Sequence, residues 1–144
     1  MSTADPKLLV IDDEENIRFA MRSYFSASGF EVDVADGTGT ARELLGKNCY
    51  AVVITDLRLG SHLEEDGLRI VREVHESSPS TGIIVLTAYG SLEVEQTARS
   101  RGADAFLSKP LPLAEIIQVA RGLVAEKGQR LDGGLGVSPT DLPV

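Results

Sequence analysis

Ala51-Val52-Val53-Ile54-Thr55-Asp56 is an apolar, largely β-branched run that stops on a carboxylate, and Leu57-Arg58-Leu59-Gly60 follow it. A run of this length and composition reads as a strand buried on both faces, as in a parallel sheet with helices above and below. Its last residue, Asp56, is then delivered to one rim of the sheet. In open parallel sheets, ligand chemistry collects at the carboxyl ends of the strands, beside the point where strand order reverses. Asp56 is therefore the first candidate for function, and three other strand ends carry chemistry that matches it.

Toward the amino terminus, Lys7-Leu8-Leu9-Val10-Ile11 reads as a short buried strand that ends in Asp12-Asp13. Residues 14–28 place Ile17, Ala20, Met21, Tyr24 and Phe25 at helical spacing, with acids in the first turn and Gly29 just past the end. Residues 31–35 alternate around Val32 and Val34, a weaker strand nearer the sheet edge, and residues 38–47 form a short helix with Ala41, Leu44 and Leu45 inward. Toward the carboxyl terminus, a polar loop leads to a helix over residues 68–77, with Leu68, Val71 and Val74 on one face, stopped before Pro79. Gly82-Ile83-Ile84-Val85-Leu86 is the fourth strand and ends at Thr87. The fourth helix, residues 91–101, has Leu92, Val94 and Ala98 as its apolar residues; a helix that buries so little shifts at small cost. Residues 103–108 make the fifth strand, with Phe106 inside it, and run into Lys109-Pro110. Residues 113–127 are an amphipathic helix carrying Leu113, Ile116, Ile117, Ala120, Leu123 and Val124. Residues 1–6 read as a disordered amino terminus. Residues 128–144, with Gly133-Gly134, Gly136, Pro139, Pro143 and no apolar period, read as a flexible tail or truncated linker.

Five strands alternating with five helices predict a single α/β unit, a doubly wound sandwich. Its 144 residues are enough to bury a real core without disulfides or metals as staples. A net charge of -8 and a pI near 4.7 argue against direct binding to nucleic acid, which relies on Lys and Arg to neutralise phosphates. A lone cysteine, Cys49, excludes an internal disulfide and a Cys-based zinc site, suits a reducing compartment, and reads as inert packing at a helix end. Neither a signal segment nor an apolar run of membrane-spanning length is present, so a cytoplasmic protein without membrane contact is expected. Gly37-Thr38-Gly39-Thr40-Ala41-Arg42 has the look of a dinucleotide fingerprint, but it lacks a third glycine and follows the second strand rather than the first.

If the sheet takes the flavodoxin-like order 2-1-3-4-5, strands one and three are neighbours at the switch point, about 4.8 Å apart. Asp12 and Asp13 then share one coordination sphere with Asp56, Thr87 lies one strand away, and Lys109 can reach back from strand five. Two unit charges ~4 Å apart repel by roughly 4 kcal/mol at an effective dielectric of about 20, so three such carboxylates need neutralising. Lys109 can offset one charge and a hard divalent cation the rest. A ligand set of oxygens alone favours Mg²⁺. A carboxylate, a hydroxyl and an ammonium beside a divalent cation are the groups that stabilise charge on a transferring phosphoryl group.

Five segments together resemble the receiver domain of two-component response regulators: Val10-Ile11-Asp12-Asp13, Ile54-Thr55-Asp56, Asp66-Gly67, Val85-Leu86-Thr87-Ala88 and Phe106-Leu107-Ser108-Lys109-Pro110. The resemblance covers residues 7–127. It implies a bacterial-type signalling protein that is a phosphoacceptor rather than an enzyme, although such domains assist their own phosphorylation and slow autodephosphorylation. It implies that Asp56 takes a phosphoryl group from a sensor histidine kinase or phosphotransfer protein. Asp12 and Asp13 would hold Mg²⁺ together with Asp56 and the backbone carbonyl of Arg58. Thr87 and Lys109 would contact the phosphoryl oxygens, and Phe106 would change rotamer as Thr87 moves. The face made by helix four, strand five and helix five would then change shape, signal to an output domain or partner, and offer a homodimer surface. A cis Lys109-Pro110 bond is also implied.

Each residue has a plainer reading on its own. Asp12 and Asp13 could merely start a helix, Thr87 be an ordinary strand residue, Lys109 a solvated amine and Phe106 core. Together they require four coincidences on one rim. The loop after Asp56 departs from the family pattern: Gly60 stands where a Pro is usual, and residues 61–65 lengthen it by about three. There His62, Glu64, Glu65 and Asp66 either tune access to the site or form a solvated loop. Arg58 and Tyr89, two residues beyond Asp56 and Thr87, are bulky and are expected to screen attacking water and slow phosphate loss. A Mg²⁺-dependent phosphohydrolase would need a second Asp where Arg58 stands. A pseudo-receiver would lack part of the acidic pair or the Lys.

Overall fold

The computed structural model describes residues 5–59 and 65–136, with side chains described as far as residue 128. The amino-terminal residues 1–4, most of the long loop including His62 and Glu64, and the last eight residues of the expected tail lie outside the described residues.

Among the described residues, five strands alternate with five helices: β1 (Lys7–Ile11), α1 (Glu15–Ala27), β2 (Glu31–Ala35), α2 (Thr38–Lys47), β3 (Val52–Thr55), α3 (Glu65–Ser77), β4 (Gly82–Thr87), α4 (Leu92–Arg101), β5 (Ala105–Ser108) and α5 (Leu113–Gly136). The strands form one sheet of order β2-β1-β3-β4-β5, and every pairing is parallel. This is the expected flavodoxin-like doubly wound sandwich.

The pleat explains why the central strands read as unbroken apolar runs. Leu9, Ile11, Val53, Ile83 and Val85 point to one face and pack with Ile70, Val71, Val74 and Ala98 of α3 and α4. Leu8, Val10, Val52, Ile54, Ile84 and Leu86 point to the other and pack with Met21, Phe25, Ile116, Ile117 and Ala120 of α1 and α5. Every residue of β3 is buried, and each such Val or Ile contributes about 1.5–3 kcal/mol of burial free energy. The edge strands β2 and β5 are only partly covered, which is why their apolar patterns are weaker.

Register brings the strand ends level. Ile11 lies opposite Thr55, and Thr87 opposite Ser108. The ladder continues one residue further, since the Asp56 N–H donates to the Ile11 carbonyl at 3.0 Å and the Lys109 N–H to the Thr87 carbonyl at 3.0 Å. Asp12, Asp56 and Lys109 therefore leave the sheet on the same rim.

Several expectations shift. The third helix begins at Glu65, three residues before the apolar period, and α5 continues past Lys127 to Gly136, into the segment expected as tail. On α1, Met21 and Phe25 are buried, whereas Ala20 and Tyr24 of the expected stripe are exposed. Cys49 is exposed rather than packed. The Gly37-Thr38-Gly39 stretch does no more than open α2, with Gly37 at the N-cap. Among the described residues, no helix is long and apolar enough to cross a membrane.

Candidate functional site

Asp12 follows directly on β1 and is buried, with two hydrogen bonds to its carboxylate and one to its backbone carbonyl. Oδ1 accepts the Glu14 N–H at 2.9 Å, Oδ2 accepts Lys109 Nζ at 2.7 Å, and the Asp12 carbonyl accepts Arg18 Nη1 at 2.9 Å. The first of these is an Asx turn, in which a short acid bonds the backbone two residues on and turns the chain from strand into helix. Asp56 is buried too. Its Oδ1 accepts the Leu57 N–H at 2.6 Å and its Oδ2 accepts Lys109 Nζ at 2.8 Å. Lys109, reaching back from the end of β5, is thus bonded to both carboxylates at once.

Burial disfavours the charged carboxylate of Asp12 and pushes its pKa above the ordinary value, against the opposing pull of the Lys109 ammonium and the Glu14 N–H. For Lys109, burial works toward a lower pKa, but the hydrogen bonds to Asp12 and Asp56 outweigh it and raise the pKa. The ammonium stays charged, as the two acids require.

Asp13 is exposed at the same rim. One carboxylate oxygen from each of Asp12, Asp13 and Asp56 lies within 4.8 Å of the other two. The donor set is all oxygen and hard, which fits Mg²⁺ and does not fit zinc or copper. These groups open on a cleft of about 330 Å³ lined by Asp13, Glu14, Asp56, Arg58, Ala88, Tyr89 and Lys109.

Arg58 and Tyr89 form a wall of this cleft, with the Arg58 guanidinium carbon 4.0 Å from the Tyr89 ring centroid. Such stacking is the geometry of a cation–π pair. Thr87 is fully buried, and its hydroxyl accepts the Tyr89 N–H at 3.2 Å, while Ala88 and Tyr89 stand at the cleft in its place. Phe106 is partly buried rather than sealed in the core. Gly90 leaves room for it: a Cβ on Gly90 would stand 2.7 Å from the Phe106 ring and 3.6 Å from the Thr87 methyl.

The Asp66-Gly67 pair gains a steric explanation. Gly67 packs on the backbone just past β3, donating its N–H to the Leu57 carbonyl at 2.8 Å, and any Cβ there would run into the Asp56 carbonyl and Leu57 Cα. The Lys109-Pro110 bond is cis. Sequence reasoning missed Arg18 and Glu14 as partners of Asp12. The available signal for the second was a short acid at a strand end with a non-proline residue two positions on, since the donor is the Glu14 backbone N–H.

The five-stranded parallel sheet that carries this acidic rim matches known proteins. Residues 8–121 match the response regulator receiver domain. The regulatory protein AtoC of Escherichia coli is 32% identical over 114 residues, covering 79% of this chain and 24% of AtoC. The response regulator MprA of a Mycobacterium species is 30% identical over 118 residues, covering 82% of this chain and 50% of MprA. Among solved structures, a receiver domain protein from Clostridium thermocellum is 28% identical with a TM-score of 0.78, covering 86% of this chain and 98% of that one. The beryllofluoride-activated NtrC4 receiver domain dimer is 26% identical with a TM-score of 0.76, covering 84% and 98%. The chain belongs to the response regulator receiver domain family, the signalling domains of two-component systems. It spans a quarter to a half of the length of these curated relatives.

Proposed function

We propose that Asp56 accepts a phosphoryl group from the phosphohistidine of a sensor kinase or phosphotransfer protein, and that the acyl phosphate so formed switches the face of α4, β5 and α5. The observation that carries this reading is the pair of hydrogen bonds from Lys109 to Asp12 and Asp56, which gathers three strand ends into one site.

In the transfer, an Asp56 carboxylate oxygen bonds to phosphorus as the donor's nitrogen–phosphorus bond breaks, and the histidine nitrogen leaves with that electron pair. Asp12, Asp13 and Asp56, with the Arg58 carbonyl, would hold Mg²⁺, which when bound supplies positive charge to the phosphoryl oxygens. Lys109 turns from its carboxylate partners to a phosphoryl oxygen. Thr87 gives up the Tyr89 N–H and donates its hydroxyl to another. The space beside Gly90 and the Thr87 methyl then changes shape, and Phe106 changes rotamer with it. Arg58 and Tyr89, stacked at the cleft, keep water from the acyl phosphate and slow its hydrolysis. The Arg58 side chain also fills the place where a phosphohydrolase would need its acid.

The output is a domain or partner contacted through α4, β5 and α5, and that face is also where a homodimer would form, as the activated NtrC4 receiver is a dimer. The acidic surface leaves any nucleic-acid contact to such a partner. The proposed setting is the cytoplasm, which a single thiol suits.

Incubation with Mg²⁺ and acetyl phosphate tests the reading by intact mass. A phosphoryl adduct that requires Mg²⁺ and disappears in Asp56→Ala supports it. No adduct, together with no response to beryllofluoride, would move the pseudo-receiver reading to the front.

A further inference from the structure

The amino-terminal end of α4 is weakly held. Leu92 is 72% exposed, Val94 only partly buried, and the first turn is fastened locally by the Ser91 hydroxyl accepting the Val94 N–H at 3.1 Å. The carboxy-terminal end is held differently. Ala98 is fully buried against the sheet, and Gly102, at φ 124°, lies so close to the His75 side chain of α3 that any Cβ would collide with it. At the other end of α3, Arg101 Nη1 donates to Glu65 Oε2 at 3.0 Å, with Arg101 four-fifths buried. Glu65 stands in the first turn of α3, two residues before Gly67, and Gly67 is locked onto the Asp56 and Leu57 backbone. One helical turn therefore touches the phosphoacceptor backbone at Gly67 and grips α4 through Glu65.

We propose that Glu65 is a positioning residue for the output face: its ion pair with Arg101 fastens the end of α4 to the first turn of α3 and stabilises the resting arrangement. This rests on the reading of Asp56 as phosphoacceptor. The pair holds the far end of α4 in the resting arrangement and is loosened when the near end, which follows directly on Tyr89 and Gly90, moves in the activated one. By linkage, whatever stabilises the resting arrangement weakens any ligand that favours the activated one by the same factor.

The test is the midpoint for beryllofluoride binding in saturating Mg²⁺, by calorimetry on the full chain. Glu65→Gln and Arg101→Gln should each tighten binding about two- to fivefold, the range an ion pair of this exposure supports. The charge swap, Glu65→Arg with Arg101→Glu, should bring the midpoint back toward the parent value. Arg69→Gln, which removes the neighbouring 3.5 Å pair of Glu65 along α3 and leaves Arg101 in place, should leave it unchanged. Single variants at the parent midpoint, single variants that bind more weakly, or a swap that fails to restore the value would overturn the proposal. Absence of Asp56-dependent beryllofluoride binding in the parent itself would overturn the phosphoacceptor reading first.

Discussion

Replacing Lys109 with Met removes the ammonium that Asp12 and Asp56 share and keeps most of the apolar stem. The carboxylate oxygens of Asp12, Asp13 and Asp56 lie within 4.8 Å of one another. Two unit charges at that separation repel by about 3.5 kcal/mol at an effective dielectric of ~20. Removing one partner of a buried pair costs about 3–5 kcal/mol, because the other charge is left uncompensated. The Lys109 side chain is 15% exposed and the rim opens on a cleft, so water relieves part of this. The expected loss is about 2–3 kcal/mol of unfolding free energy, read by urea denaturation in EDTA. Saturating Mg²⁺ should recover most of it, since a ligand at ~100 times its dissociation constant adds about 2.7 kcal/mol. The parent should gain less from Mg²⁺, because Lys109 already neutralises the acids that the ion would meet. A variant as stable as the parent in EDTA, or a loss that Mg²⁺ leaves untouched, would refute the electrostatic account of the rim.

Gly67→Ala should cost about 3 kcal/mol or more in urea denaturation, at the upper end of overpacking, because the atoms a Cβ meets are backbone and cannot rotate away. Tyr50→Phe removes the 2.7 Å hydrogen bond from the Tyr50 hydroxyl to Asp33 and should cost about 0.5–1.5 kcal/mol at neutral pH. Burial, then that hydrogen bond, raises the Tyr50 pKa, so its contribution is fully present below the unfolded tyrosine pKa of about 10 and falls as pH rises above it. The stability gap between parent and Tyr50→Phe should therefore narrow in alkaline denaturation series. Arg58→Ala combined with Tyr89→Ala removes the stack at the cleft and should shorten the lifetime of the phosphorylated protein about two- to fivefold, equivalent to ~0.5–1 kcal/mol. Loss of phosphate at the parent rate, followed by intact mass, would remove that role.

The central strands were legible because a parallel strand covered on both faces leaves an unbroken apolar run, as in Val52, Val53 and Ile54, and each run ends where chemistry begins. Fold class follows from that; strand order, and with it the meeting of Asp12, Asp13, Asp56 and Lys109 on one rim, rested on assuming the flavodoxin-like order that the structure then shows. Boundaries were less legible where packing overrides pattern. The start of α3 is polar, and nothing in the spacing shows that its Gly67 packs on the Asp56 carbonyl. Ile70 falls outside the expected apolar face of α3 yet is fully buried, since that helix is covered on a wider arc. Lys127 closes the expected fifth helix, and the sequence assigns it no partner. The fold buries it, pairing its ammonium with Asp104 at 3.2 Å and the Pro79 carbonyl at 3.2 Å. Hydrogen-bond choice was illegible altogether: the Thr87 hydroxyl faces the Tyr89 N–H, and spacing alone cannot tell that arrangement from one aimed at Asp56.

Mapping the acyl phosphate tests the central claim most directly. The protein, phosphorylated with acetyl phosphate and Mg²⁺, is reduced with borohydride, which converts a phosphorylated aspartate to homoserine, and its peptides are sequenced by mass spectrometry. The account predicts homoserine at position 56 and at no other carboxylate. Homoserine at position 12 or 13, or at neither these nor 56, would contradict it.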